Sequence, residues 1–356
     1  MKPKWIWTAE KLPKFNQFVF FRKEFTLNAG FESMQCLVTA ERFYQLWING
    51  KWVNQGPALG LPEEKSFDIH DINHLLQPGK NIIAVLVNFD RDKRIGTNHT
   101  NWFIPKTRAG LLCQVEGKAD DTPFQLTSDE TWLTRPAYGW NPEAPFLNDM
   151  YHQEHYSFGK DQTDWNQAGF NNGGWHYAVV LGDADGNGIE GNKLPWLKLV
   201  ERDIPPLSRK LHLPVHVQTG EIVEQFGSSD IGLRMTLEAI KPLEKAEIGN
   251  ECNLLIPGDD ICTLCNSDLQ ESEDTWDGNH DPTLILDFGE LCNAHLVIEA
   301  KGPAGANLHI GYGPNLVEGR VFPYRSERTS WADSIELDGT GWNRWRSYHW
   351  RQFRYV

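Results

Sequence analysis

The chain has 356 residues, a formal net charge of −14, 15 tryptophans, 31 glycines and 20 prolines. Nucleic-acid phosphates and anionic membrane surfaces are excluded as expected partners, because both bind basic surfaces. No apolar run approaches the roughly 18 residues of a membrane helix. The first residues lack the apolar core of a signal peptide, which favours a cytoplasmic location. The length suggests about two domains, and the many aromatic and turn-forming residues favour a mostly β protein.

The first part of the chain shows short strand patterns separated by turns. Asn49-Gly50 is the clearest turn signal, because both central residues of a type I′ hairpin need positive φ. It predicts a hairpin of strands 43–48 and 51–55. Residues 68–76 are predicted to form a turn or 3₁₀ segment. The other predicted strands of this part are 5–7, 18–27, 35–40, 82–87, 109–116, 124–132 and 177–181.

Two long polar loops, residues 90–108 and 138–149, are candidates for binding carbohydrate. Aromatic planes stack on the C–H faces of sugars, and polar side chains bind the hydroxyl groups. The alternative is that these loops pack against a neighbouring domain. The candidate carbohydrate-binding residues are Arg94, Asn98, Asn101, Trp102, Tyr138, Trp140 and Asn141.

A glycine-rich segment at 182–192 resembles the first half of an EF-hand calcium loop. Asp183, Asp185 and Asn187 occupy the first, third and fifth positions, and the sixth is glycine. The twelfth position is Leu194 and not glutamate, so Glu190 is the candidate replacement ligand. The alternative is a flexible polar turn. Calcium is the only cofactor that the sequence suggests, and the isolated Cys262-Thr-Leu-Cys265 pair favours free thiols over a zinc site.

The second part of the chain begins after an extended proline-containing linker at 202–207. A boundary near residue 205 divides the chain into domains 1–205 and 206–356. The strands predicted for the second domain are 214–218, 221–224, 283–288, 294–300, 307–312, 331–337 and 353–356.

Several segments resemble a known family. FFRKEFTL, LVTAERFYQLWINGKWVNQGPA and FDIHDINHLLQPGKNIIAVLV are similar to the N-terminal galactose-binding-like sandwich of bacterial α-L-rhamnosidases of glycoside hydrolase family 78. ILDFGELCNAHLVIEAKGPAGANLHIGYG, ADSIELDG and WRQFRYV resemble the concanavalin-like sandwich that precedes the catalytic barrel of that family. The resemblance implies an all-β fold of two antiparallel, jelly-roll-type β-sandwich domains.

The resemblance also implies what the chain does. In this family the active site lies in an (α/α)₆ barrel, and no stretch of the chain resembles it, so no catalytic residue is assigned. We expect the non-catalytic N-terminal part of an α-L-rhamnosidase-like enzyme, inactive alone. Its expected partners are the missing catalytic barrel and a rhamnose-containing glycan or glycoside. A stand-alone carbohydrate-binding module or lectin, and a pure interaction scaffold, remain open alternatives.

Overall fold

The computed structural model describes residues 2–12, 16–58, 64–90, 108–147, 151–185, 198–206, 208–223, 229–266, 280–326 and 329–356. The chain divides into two compact units. The first consists of Met1–Glu143 and Lys160–Leu207, and the second consists of Ala144–Gly159 and Ser208–Val356. A single division at residue 205 would assign Ala144–Gly159 to the first domain, whereas its contacts place it in the second unit.

Strands dominate both units, which confirms the all-β class. The strands up to residue 201 are β1 (Lys4–Trp7), β2 (Gln17–Leu27), β3 (Phe31–Glu41), β4 (Phe43–Ile48), β5 (Lys51–Gly56), β6 (Lys65–Asp71), β7 (Gly79–Phe89), β8 (Gly110–Ala119), β9 (Thr122–Thr127), β10 (Leu133–Pro136), β11 (Phe146–Leu147), β12 (Tyr151–His152), β13 (His155–Ser157), β14 (His176–Tyr177), β15 (Val179–Asp183) and β16 (Leu199–Glu201).

The later strands belong to the second unit. They are β17 (His216–Val223), β18 (Ile240–Lys241), β19 (Glu247–Gly249), β20 (Thr263–Cys265), β21 (His280–Ala294), β22 (Val297–Ala300), β23 (Asn307–Gly311), β24 (Leu316–Val317), β25 (Arg320–Val321), β26 (Tyr324–Ser326), β27 (Thr329–Ser330), β28 (Ala332–Glu336), β29 (Asn343–Arg346) and β30 (Arg351–Tyr355).

Helices are short. One α-helix, α1 (Ile231–Leu237), starts at Asp230, whose side chain accepts a hydrogen bond from the backbone N–H of Leu233. In the part of the chain that the structure describes, three 3₁₀ segments cover Asn73–Leu75, Phe158–Lys160 and Glu251–Leu255. Within the described ranges, no helix combines the length and the apolar character needed to cross a membrane.

Two sheets face each other in the first unit. One has the strand order β15-β1-β8-β3-β6-β16 with β9 added beside β8, and the other has the order β14-β10-β2-β7-β4-β5. Their inner faces enclose one core, in which Phe21, Tyr44 and Trp132 are fully buried. The predicted hairpin joins β4 to β5, with φ of 50° at Asn49 and 75° at Gly50. Positive φ at both positions gives a type I′ turn, whose twist matches that of the flanking strands.

The outer face of the second of these sheets carries an aromatic layer. Because side chains alternate along β2, Phe18 and Phe20 point away from the core that holds its neighbours. Trp165 covers Phe20 with ring centroids 4.4 Å apart and meets the ring of Trp47 at 5.2 Å. Trp140 stacks on Phe18 at 4.5 Å. Much of the aromatic excess in this unit is therefore packing.

The structure corrects two of the sequence predictions for the first unit. Residues 68–76 were predicted as a turn or 3₁₀ segment, but β6 extends to Asp71 and only residues 73–75 are 3₁₀. The polar face of β6 points inward, where Asp68 is buried, while Ile69 is exposed. The predicted strand 124–132 ends at Thr127, because Asp129 accepts a hydrogen bond from the N–H of Thr131 and forms a turn.

The second unit combines several smaller sheets around its own core. β18-β17-β21-β30 is the largest, β13-β28-β23 is the next, and β22 pairs with β29. Phe288, Tyr312, Trp345 and Phe353 are buried in the core.

Strand β13 comes from the Ala144–Gly159 segment and pairs in parallel with β28, with His155 opposite Ser334. About 180 residues of sequence separate these partners, so no local pattern predicts their pairing. The described strands thus place a segment from the middle of the first unit's sequence inside a sheet of the second unit.

Candidate functional site

Several strands of the first unit begin or end at the same edge, which we call the loop end. β2 starts there opposite the end of β7, with Gln17 paired to Phe89. β4 starts at the same level, with Phe43 opposite Asn88. β10 ends beside the start of β2, with Pro136 opposite Val19. The start of β2, the end of β7 and the end of β10 therefore lie at one edge.

Tyr138 is an exposed aromatic residue at the loop end. Half of its surface, 51%, is accessible. Its hydroxyl donates a 2.9 Å hydrogen bond to Oε2 of Glu10, and the guanidinium carbon of Arg135 lies 5.6 Å from its ring centroid. His176 Nε2 lies 3.8 Å from the other oxygen of Glu10. The loop end thus brings an aromatic ring, a carboxylate and a guanidinium next to one another.

Asp161 holds this loop in place. Its two carboxylate oxygens accept hydrogen bonds from the backbone N–H groups of Tyr138, at 2.9 Å, and Gly139, at 2.8 Å. Burial raises the pKa of Asp161 to about 6, although both backbone donors and Arg135 act in the opposite direction. Nearby, Arg135 Nη1 donates to Oε1 of Gln162 at 2.8 Å, which fixes the guanidinium.

The other two predicted residues of this loop have different surroundings. Trp140 is half-buried, since one face of its ring stacks on Phe18 with an interplanar angle of 11°. Asn141 is exposed, and its side-chain oxygen accepts a 3.0 Å hydrogen bond from the N–H of Glu143. Of the two aromatic residues, Tyr138 is exposed, whereas Trp140 packs on Phe18.

The remaining predicted carbohydrate-binding residues, Arg94, Asn98, Asn101 and Trp102, lie outside the described residues. The involvement of all seven residues in binding stays a prediction.

Buried ion pairs stabilise the base of the loop end. Lys65 and Glu41 lie 2.5 Å apart, and both are mostly buried. Arg202 Nε lies 2.5 Å from Oδ1 of Asp68, and the hydroxyl of Tyr44 donates to Oδ2 of the same carboxylate. Burial raises the pKa of Tyr44 well above its ordinary value, and the charge of Asp68 adds to this effect. Tyr44 therefore stays protonated and donates its hydrogen bond to Asp68.

Sequence reasoning missed Glu10, Arg135 and Asp161. Each is a single polar residue whose sequence neighbours give no sign of a site. These residues come close to Tyr138 only in the folded unit, where β10 ends at the loop end. A search for carboxylates and arginines near exposed aromatic loop residues would have found Arg135 alone, since it is three positions from Tyr138.

The calcium prediction concerns Asp183, Asp185, Asn187 and Glu190. The described residues include the first two, and the last two lie outside them. Asp183 forms an ion pair with Lys4, which would compete with a cation. Within the described residues, no three His, Cys, Asp or Glu side chains are grouped as metal ligands. Titration calorimetry of calcium into an Asp185→Ala variant tests the prediction without breaking the Lys4 pair.

A pair of carboxylates lies inside the second unit, around Arg351. Asp333 accepts hydrogen bonds from Arg351 Nη2 at 2.8 Å, Arg351 Nε at 3.1 Å and the Tyr312 hydroxyl at 2.8 Å. Glu154 accepts the backbone N–H groups of Tyr348, at 2.7 Å, and His349, at 2.9 Å. Glu154 Oε1 also lies 3.4 Å from Arg351 Nη2. Burial raises the pKa of Glu154 to about 7.

The geometry of this network indicates a structural role. Glycoside hydrolysis needs two carboxylates that reach opposite sides of a sugar. Glu154 is only 2% exposed, Asp333 and Arg351 are fully buried, and each carboxylate is bonded to protein groups. A substrate cannot reach them in this arrangement.

The family described as the α-L-rhamnosidase N-terminal domain matches residues 31–210. The chain belongs to this family. The resemblance found in the sequence is therefore confirmed, and the chain is homologous to the N-terminal domain of α-L-rhamnosidases. A comparison with curated proteins gave no match.

Solved structures of this enzyme class share the fold. The family 78 rhamnosidase of Bacillus sp. GL1 superposes with a TM-score of 0.74 at 18% identity, covering 99% of this chain and 52% of its own. The α-L-rhamnosidase of Aspergillus terreus gives 0.60 at 19% identity, covering 99% of this chain and 33% of its own. That of Streptomyces avermitilis, complexed with L-rhamnose, gives 0.59 at 18% identity, covering 97% and 27%. The chain thus spans about half the length of the Bacillus enzyme and less of the others.

Proposed function

We propose that this chain works as the non-catalytic N-terminal region of an α-L-rhamnosidase-type glycoside hydrolase, where it supports a catalytic (α/α)₆ barrel. The family match over residues 31–210 carries the proposal. The buried network of Glu154 and Asp333 supports it, because both carboxylates are bonded to protein groups and are inaccessible to a substrate. The fold shared with enzymes about two to four times as long supports the presence of a further, catalytic region.

A hydrolysis assay tests this proposal. The purified chain should release no nitrophenol from nitrophenyl α-L-rhamnoside, and a longer product of the same gene that includes a helical barrel should release it. Hydrolysis by the chain alone, abolished in Glu10→Gln or Asp161→Asn, would overturn the proposal. A gene that stops at Val356 would favour the lectin or scaffold alternatives.

We also propose that the loop end recognises a rhamnose-containing glycan or glycoside. The exposed Tyr138 ring beside Glu10 and Arg135 supports this proposal, since such a group provides a stacking face with an acceptor and a donor for hydroxyl groups. The Asp161 carboxylate supports it as well, because it fixes the loop before a ligand arrives, which lowers the entropic cost of binding.

Two exposed tyrosines make a matched experiment for binding. Tyr138→Ala should remove signal from a glycan array or from titration with L-rhamnose, whereas Tyr177→Ala, which changes a tyrosine that is 68% exposed on β14, should not. Trp140→Ala should lower the melting temperature, because it removes a ring stacked on Phe18. Equal binding by the wild type and Tyr138→Ala would contradict this assignment.

A further inference from the structure

The turn between β28 and β29 presents a tryptophan to solvent. Among the tryptophans of the described ranges, only Trp342 is exposed, over 59% of its surface. A single exposed apolar side chain is common on protein surfaces and is not by itself a site. The order of the turn and the groups beside the ring therefore decide what Trp342 can do.

Hydrogen bonding and close packing fix the turn that carries this ring. The backbone N–H of Asp338 donates to Oδ1 of Asn343 at 3.2 Å, and Asn343 is only 4% exposed. Gly339 has φ of 75°, and a Cβ there would lie 2.7 Å from the backbone nitrogen of Ala304. The backbone on the N-terminal side of Trp342 is thus held in place, which lowers the entropic cost of binding a ligand to the ring.

Trp342 lies on the same face as a pair of opposite charges. Exposure alternates here, since Trp342 and Arg344 are exposed whereas Asn343 and Trp345 are buried. The two exposed side chains therefore share the outer face, about 7 Å apart along the chain. Across the ladder, Arg344 lies opposite Glu299 on β22 and forms an ion pair with it. The side chains of this pair are 70% and 53% exposed.

The chemistry of this face suits a sugar better than a protein surface. Docking surfaces for other proteins are contiguous apolar patches, whereas the ring of Trp342 has charged neighbours. An exposed ion pair contributes little to stability, because water screens it. The N–H groups of Arg344 and the carboxylate oxygens of Glu299 can therefore also serve sugar hydroxyl groups, as donors and acceptors.

We propose that Trp342, with Arg344 and Glu299 beside it, forms a second carbohydrate-binding site, for a pyranose ring whose substituents are all equatorial. Such a ring, as in a β-glucoside, presents only C–H groups on both faces, and an open indole ring binds it by stacking. An α-L-rhamnoside carries axial oxygens at C1 and C2, one on each face, so it stacks less well. The saccharide assignment rests on the proposed function in glycoside hydrolysis. The exposed ring beside the ion pair rests on the structure alone.

Nuclear magnetic resonance of the whole chain with isotope-labelled tryptophan tests the proposal. Trp342→Phe identifies the indole N–H signal of Trp342 by its disappearance. Methyl β-D-glucoside should shift this signal in the wild type. Methyl α-L-rhamnoside should need a concentration at least about fivefold higher for the same shift, a factor within the range of aromatic stacking energies.

Variants show whether the ring itself binds the sugar. Trp342→Ala should raise the dissociation constant for methyl β-D-glucoside at least about fivefold, measured from the sugar's own signals, and should keep its melting temperature because the ring is exposed. Tyr177→Ala is the matched control, since it removes an aromatic ring that is 68% exposed on β14, and it should bind like the wild type. Tyr138→Ala, at the loop end, should also keep this binding. Arg344→Gln should weaken it by a smaller factor than Trp342→Ala.

The outcomes separate the parts of the proposal. An unshifted Trp342 signal in the wild type overturns the site, whether or not the variants fold. Equal binding by Trp342→Ala and Tyr177→Ala overturns it as well. Equal affinity of the two glycosides overturns the assignment to an equatorial ring. A Trp342 ring that is shielded from a water-soluble quencher in a longer product of the gene overturns the site in favour of docking on the rest of the enzyme. Hydrolysis of a rhamnoside by that product does not require this site, so failure here leaves the proposed function standing.

Discussion

Asp333→Asn should strongly destabilise the second unit while barely changing its shape. Asp333 is the acceptor for both Nε and Nη2 of Arg351, and its Oδ1 also accepts the backbone N–H of Glu154 at 2.7 Å. Asparagine removes the negative charge and turns an NH₂ group toward at least one of these donors. Arg351 is fully buried and would lose its two-point partner.

The magnitude follows from burial. Removing one partner of a buried ion pair costs about 3–5 kcal/mol, because the remaining charge is left without water. Glu154 lies 3.4 Å from the same guanidinium and would ionise more readily once Asp333 is neutral. We therefore expect the lower end of the range, about 3 kcal/mol.

Urea unfolding followed by circular dichroism measures this loss, as a midpoint lowered by about 1 M or more without a change of slope. The control is Glu32→Gln, which removes a carboxylate 3.0 Å from Lys118 where both side chains are more than half exposed. Its effect should stay below about 1 kcal/mol. The double variant Asp333→Leu/Arg351→Met should recover most of the stability. Equal midpoint shifts for Asp333→Asn and Glu32→Gln would refute the reasoning.

Three further changes probe other parts of the structure. Trp165→Ala should lower the free energy of unfolding by about 3–5 kcal/mol because its ring is buried in the outer layer, whereas Trp342→Ala, at a 59% exposed ring, should change the melting temperature little. Asp161 should titrate with a midpoint near pH 6 in carboxyl NMR. Its contribution to the free energy of unfolding should fall as the pH rises from about 4 through 6, because the folded state holds the proton more tightly. A midpoint below pH 4 would contradict this. Glu154→Gln imitates the neutral acid, so its stability relative to the wild type should improve between pH 5 and pH 8; a decline over that range would count against a raised pKa.

Sequence reasoning succeeded where structure is decided locally. The hairpin around Asn49-Gly50 is an example, because its turn needs two residues that tolerate positive φ, and the flanking strands alternate in the ordinary way. Segment β6 shows the opposite case. Its polar residue Asp68 faces inward and is satisfied by Tyr44 and Arg202, residues far away in the sequence. The usual pattern of apolar-in and polar-out is inverted there, so a turn was predicted.

The candidate site was predictable in part for the same reason. An aromatic residue in a polar loop is visible in the sequence, and Tyr138 was predicted as a binding candidate on that basis. Its partners are not visible, because Glu10 and Asp161 reach it through the strand order of the sheet. The division into units was also hidden, since the pairing of β13 with β28 joins residues that differ in number by 179.

Because Ala144–Gly159 belongs to the second unit, a single cleavage of the chain cannot separate the two units. The chain passes between the two units three times, after Glu143, Gly159 and Leu207. During synthesis, β13 emerges long before β28. The backbone N–H and C=O groups of β13 that pair with β28 therefore stay without this partner until β28 has been made. A protease cut near residue 205 would leave two pieces, yet the earlier piece would still contribute a strand to a sheet of the later one. The pieces should therefore co-elute after nicking and separate only on unfolding, and neither half can be excised as an intact module by one cut.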